Sequence, residues 1–218
     1  MMLPFLIALN EAYLCEAKRT NSVPTMAGDI RMKIVGIVGS PRDGGNTEVL
    51  TQIALEEIRK EGLETELISL AGKKVEPCDA CGSCRTTRKC HIKDDFEAIY
   101  AKMVDADGII LATPVYYGAA TPQLVALLSR CYAHRGEERP FENKVGGPIV
   151  VARRAGQNFT FAQLMFFFMI QGMIVPGSTY WNIAFGREKG EVTKDEEGVR
   201  TVRNFGRKLA WLAKKVRA

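Results

Sequence analysis

Apolar positions along the chain fall into short continuous runs separated by longer stretches of helical spacing. Ile34 to Val38 is such a run, and it stops at Gly39. After a polar loop, Val49, Leu50, Ile53, Ala54, Leu55 and Ile58 recur on one face of a helix from Thr47 to Lys60, which Gly62 ends. Leu63 to Leu70 alternates like a strand. Asp94 and Asp95 open a helix predicted to reach Val104, where acids in the first turn suit the helix dipole. Gly108 to Ala112 and Gly146 to Ala152 are unbroken apolar runs, the pattern of strands covered on both faces. Pro122 fits the first turn of a helix reaching Cys131. Phe159 to Gly172 forms a strongly apolar helix, and Met173 to Val175 is predicted as a short strand. Arg187 to Gly198 reads as a polar loop before a basic amphipathic helix closes the chain.

Strands alternating with helices across short loops imply βαβ units and a parallel sheet. Five strands predict an α/β, doubly wound, five-stranded parallel sheet of order 2-1-3-4-5, with helices on both faces. Ligands of such sheets lie at the strand carboxyl ends near the switch point. The loops after the first and third strands are therefore expected to meet on one ligand.

The first of these loops reads GSPRDGGNT, Gly39 to Thr47. It lacks the Lys-Ser/Thr ending of the P-loop, and its glycines do not fall at G-x-G-x-x-G. Backbone amides and a helix N-terminus converge there, which favours an anion. Ser40, Asn46 and Thr47 add hydroxyl and amide groups and Arg42 a guanidinium. That set suits a terminal monophosphate better than a triphosphate with magnesium; an ordinary strand-to-helix turn is the competing reading. The loop after the third strand reads TPVYYGAAT, Thr113 to Thr121. A flat, partly apolar ligand can stack on its aromatics, and amides around Gly118 can bond its edge.

Composition narrows the class. The 218 residues, 46% hydrophobic and 25% charged, are ordinary for a globular chain and fit one α/β domain with some extra material, or at most two small domains. No run approaches the roughly 18 apolar residues of a membrane span. The apolar start MMLPFLIALN has no basic region before it and no clear cleavage site after it, so no signal peptide is expected. The domain is predicted to span 32–218, with 1–31 a poorly ordered extension or a segment upstream of the true start. The net charge of +5 traces to the last helix, which carries Arg200, Arg203, Arg207, Lys208, Lys214, Lys215 and Arg217 without an acid. A solvated helix face accounts for it, and neither nucleic acid nor membrane is an expected partner.

Cys78, Cys81, Cys84 and Cys90 give the spacing C-x2-C-x2-C-x5-C in an inserted loop, 77–91; only Cys15 and Cys131 lie elsewhere. A disulfide framework suits small secreted chains. Structural zinc commonly pairs two C-x2-C units across a longer gap. Crowded thiolates suit an iron–sulfur cluster best, although the bacterial ferredoxin run has three residues, not five, before its last cysteine, and a proline after it. Zinc and metal-free thiols remain the alternatives. His91 beside a full set of four cysteines reads as incidental, and His134 as an exposed helix-end residue.

GSPRDGGNT followed by DADGIILATPVYYGAATPQLVALLSR resembles the NADPH-dependent FMN reductase-like flavoproteins, a flavodoxin-fold group, over roughly 32–210. The resemblance implies FMN, its 5′-phosphate held by Ser40, Arg42, Asn46 and Thr47. It implies an isoalloxazine lined by Pro114, Val115, Tyr116, Tyr117 and Gly118, with Arg153 and Arg154 as candidates for the flavin edge. The cysteine loop after the second strand is further similar to that of iron–sulfur flavoproteins. That similarity implies a [4Fe-4S] cluster on Cys78, Cys81, Cys84 and Cys90. It also implies a homo-oligomer, a dimer or tetramer, whose interlocked subunits bring cluster and flavin together. The expected function is electron transfer between cluster and FMN in the cytoplasm, with ferredoxin or a small molecule as redox partner and no side-chain catalyst. The alternatives are an NAD(P)H-dependent FMN or quinone reductase without a cluster, and a flavin-based redox sensor. The helix LMFFFMIQG is expected to be buried on more than one side, in a core or a subunit interface.

Overall fold

In the computed structural model, which describes residues 32–133 and 139–217, five parallel strands form one sheet of order β2-β1-β3-β4-β5. The extension predicted over 1–31 and the helix-end His134 lie outside the described residues. The strands are β1 (Lys33–Val38), β2 (Glu64–Ser69), β3 (Gly108–Pro114), β4 (Val145–Ala152) and β5 (Ile183–Phe185). Six helices connect or follow them: α1 (Asn46–Lys60), α2 (Cys84–Thr87), α3 (Phe96–Asp105), α4 (Pro122–Ala133), α5 (Gln157–Ile170) and α6 (Glu196–Arg217). This is the doubly wound, flavodoxin-like arrangement expected from the alternating pattern.

The unbroken apolar runs become the central strands because both faces need cover. Ile34 and Ile110 point into a cluster with Leu50, Ile58, Phe205 and Leu209 of α1 and α6. Their neighbours Val35, Ile109 and Leu111 point the other way, into Phe96, Leu124, Leu127 and Phe168 of α3, α4 and α5. Helices α1 and α6 pack closely because Gly206 leaves room; a Cβ there would lie 2.6 Å from the Ala54 carbonyl oxygen. The basic face of α6 is partly paired to its neighbours: Arg207 and Arg203 with Glu57, Lys214 with Glu61, Arg217 with Asp107.

One strand differs from expectation. Met173 to Val175 makes only an isolated parallel bridge, Val145 to Ile174, beside the start of β4. Pro176 follows and has no N–H to continue a ladder, so the chain leaves the sheet. The fifth strand is instead Ile183–Phe185, in register with Val150 to Ala152. The stretch read as a loop from Arg187 to Gly198 holds a 3₁₀ turn, Glu191–Lys194, and the first turn of α6.

Candidate functional site

Strands β1, β3 and β4 end side by side, and their loops enclose one cavity of about 360 Å³. The two loops anticipated to meet are bonded to one another. Gly39 N–H donates to the Ala112 carbonyl at 2.7 Å, and the Thr121 hydroxyl donates to the Gly39 carbonyl at 2.6 Å. In the first loop, the Arg42 amide donates to Ser40 Oγ at 3.1 Å, a local turn that holds the buried Ser40 side chain in place. Helix α1 begins after Gly45 with no side-chain cap, and its first internal bond runs from Val49 N–H to the Gly45 carbonyl. The amides of Asn46, Thr47 and Glu48 precede that first bond and open toward the cavity end of the helix, with the positive end of the dipole behind them.

The β3 loop turns back sharply. Tyr116 and Ala119 exchange backbone bonds at 2.8 and 3.0 Å, with Tyr117 at φ 52° and Gly118 at φ 77° between them. Two consecutive positive φ values make this a type I′ turn, a conformation unusual for a bulky residue such as tyrosine. The Tyr117 side chain stands fully in solvent. The turn is braced by Gln163 of α5, whose side-chain oxygen accepts from the Ala120 amide at 2.8 Å.

Of the residues assigned to the flavin from sequence, Ser40, Arg42, Asn46, Thr47, Pro114, Val115, Tyr116 and Arg153 line the cavity. Tyr117 and Gly118 are at the turn tip and are not part of its lining, nor is the exposed Arg154. The cavity also has a wall that was not anticipated, Gly186 to Lys189 after β5. Asn46 holds this wall. Its Nδ2 donates to the Glu188 carbonyl at 2.8 Å and its Oδ1 accepts from the Val192 amide at 3.3 Å. Lys189 Nζ reaches across to the Asp43 carbonyl at 3.2 Å. These contacts join residues about 140 positions apart, and no local pattern in either segment announces them.

The cysteine loop leaves the carboxyl end of β2. Its base is closed by Lys74 N–H on Asp95, Asp95 N–H on the Lys74 carbonyl, and Glu76 N–H on Asp94, at 2.8, 3.0 and 2.8 Å. Cys78 and Cys81 are exposed, Cys90 half-buried, and Cys84 buried at the start of α2; none of the four is in a disulfide. Burial pushes the Cys84 thiol up, and the charges of Cys78, Cys81 and Cys90 add to the effect, which puts all four sulfurs within electrostatic reach. Among the described residues no three cysteine sulfurs lie within 4.8 Å of one another; the set that does is Asp79, Cys81 and His91. His91 Nε2 and Asp79 Oδ2 are 2.7 Å apart, and Asp79 also accepts the Cys81 amide at 3.2 Å. His91 thus shares the carboxylate that orients Cys81.

The sheet order and the cavity at its carboxyl edge define a flavodoxin-like protein, and comparison with known proteins gives the family. The model of the NADPH-dependent FMN reductase family matches residues 32–188, and the chain belongs to that family. It is an FMN-dependent oxidoreductase. An iron–sulfur flavoprotein of Methanocaldococcus jannaschii is 42% identical over 193 residues, which cover 85% of this chain and 100% of that one. An iron–sulfur flavoprotein of Methanosarcina thermophila is 41% identical over 181 residues, 82% of this chain and 93% of the other. Among solved structures, RosB with a bound formylriboflavin phosphate intermediate superposes with a TM-score of 0.70 at 19% identity, over 85% of this chain and 80% of that one. A flavodoxin-like WrbA-type protein of Agrobacterium tumefaciens gives 0.60 at 17% identity, over 85% and 98%. At those identities the two structures speak for the fold alone. No helix among the described residues is long and apolar enough to cross a membrane.

Proposed function

We propose that the chain is an electron-transfer flavoprotein that holds FMN in the cavity at the strand ends and a [4Fe-4S] cluster on Cys78, Cys81, Cys84 and Cys90. The observation that carries the flavin half is the joining of an uncapped helix N-terminus and an apolar-aromatic loop in one space. Arg42 and the α1 amides suit a phosphate dianion, with the Thr47 hydroxyl beside them. Pro114, Val115 and Tyr116 suit a flat ring system, and Arg153 supplies positive charge at its edge. Asn46 acts on the ligand by holding the Gly186–Lys189 wall, both ends of its side chain being engaged there.

The donor set supports the cluster over zinc. Thiolates on one zinc ion, at Zn–S distances of about 2.3 Å, sit roughly 4 Å from one another. No three of the four sulfurs lie within 4.8 Å of one another among the described residues, a spread that suits ligands at the outer corners of a four-iron body. The relatives named above are iron–sulfur flavoproteins, which supports the same reading. When bound, the cluster supplies single electrons and FMN exchanges one or two. The protein's own residues bind, orient and shield these groups.

A homo-oligomer fits as well. Phe159, Phe166 and Met169 of α5 are 77, 68 and 67% exposed, an apolar face too large for a lone surface helix. The family's NADPH-dependent reductase chemistry is the second reading, favoured by the family model itself. Protein purified without oxygen separates the two. Iron and acid-labile sulfide at about four each per FMN are expected; a yellow, iron-free protein that oxidises NADPH would rule the cluster out.

A further inference from the structure

Behind the cysteine loop lies a buried ion pair that the flavin and cluster readings do not use. Arg130 of α4 and Asp94 are 1% and 0% exposed, with Nη1 and Oδ2 2.5 Å apart. The same Nη1 donates to the Glu76 carbonyl at 3.3 Å, and Nη2 to the Ile92 carbonyl at 3.4 Å. Glu76 lies just before Cys78 and Ile92 just after Cys90, so one guanidinium ties both ends of the loop to α4. Asp94 completes the closure by accepting the Glu76 and Phe96 amides at 2.8 and 3.1 Å. The guanidinium carbon sits 4.0 Å from the Phe96 ring centroid, and the head group lies within electrostatic reach of the Cys90 side chain. Planar, multi-donor contact of this kind is specific to arginine; a lysine ammonium cannot span these acceptors at once.

We propose that Arg130 is a positioning residue for the cluster: it closes the loop on Asp94, Glu76 and Ile92, and it sets a fixed positive charge against the Cys90 sulfur. This rests on the cluster reading above. A cation beside a ligating sulfur stabilises the more negative, reduced form of an iron–sulfur group and raises its potential. A buried pair with no such task is often replaceable by apolar residues without loss of stability. Here the pair is held by contacts on both sides of the ligand set, which is what a clamp requires.

The test uses full-length protein purified without oxygen. Removing Arg130 alone would strand a buried carboxylate, so the main variant is Arg130→Gln combined with Asp94→Asn; Arg130→Lys is the charge-preserving companion. Two quantities are read: the cluster midpoint potential, and backbone hydrogen exchange across 76–94. The double variant is expected to shift the potential downward and to exchange faster in the loop by tenfold or more. Arg130→Lys is expected to keep most of the potential while losing part of the protection. A double-variant potential equal to wild type overturns the tuning contact. Unchanged loop exchange in the double variant overturns the clamp, and it does so whether or not iron is bound. Wild-type protein that carries FMN and no iron would sink the cluster reading instead, and loop exchange would still decide the clamp.

Discussion

Thr47 and Asn46 are adjacent in the chain, yet they do different things in the cavity. Thr47 lines it at the first turn of α1, whereas the side chain of Asn46 is engaged at both ends by the loop after β5. Thr47→Ala is therefore expected to weaken FMN more than riboflavin, by roughly tenfold, the scale of one hydrogen bond to a charged group. Asn46→Ala loosens the wall and should weaken both ligands by a similar factor. Titration calorimetry or flavin fluorescence with the two ligands checks the split; equal losses in Thr47→Ala would remove it from phosphate binding.

At the scale of elements, the α1–α6 contact holds one layer of the fold together and supports the helix whose N-terminus faces the cavity. Gly206 is the close-approach point, with the Ala54 carbonyl and Glu57 above it. Gly206→Val introduces atoms where backbone cannot move aside. We expect a loss of about 1–3 kcal/mol in urea unfolding, the scale of overpacking in a dense core. The same contact has an electrostatic side. Glu57 accepts a hydrogen bond from Lys60 within α1, and Arg207 and Arg203 of α6 converge on it, so its carboxyl is held below the usual range.

Over the whole molecule, carboxylates of this kind set the acid limit of stability. Lys102 and then Lys33 hold Glu66 down by hydrogen bonding, and Asp94 stays low because its bonds to Arg130 and two amides outweigh its burial. A carboxyl with a depressed folded pKa gives stability that is present above the unfolded value of about 4 and lost as pH falls through the folded value. Denaturant unfolding should therefore show stability falling progressively below about pH 4. A flat profile from pH 5 to 3 would contradict these assignments.

Much of this architecture was legible locally. A strand buried on both faces needs an unbroken apolar run, and β1, β3 and β4 have one each. The β1 loop and the β3 loop follow their strands directly, so recognising the strands located both loops. The fifth strand was not legible, because three residues carry little pattern and Met173 to Val175 is the more apolar stretch. Only the tertiary structure shows Ile183–Phe185 completing the edge. It also decided which loop residues face the cavity. Tyr116 and Tyr117 are alike in sequence, and a type I′ turn sends one to the cavity and the other to solvent. Nothing in the local sequence marks Arg130, because Glu76, Ile92 and Asp94 come around it only in the folded chain. The sequence by itself determined the alternation of strands and helices and the chemistry on offer at two loops, because those depend on local period and composition. The cavity's fourth wall and the clamp behind the cysteines depend on contacts between distant segments, which only the closed fold creates.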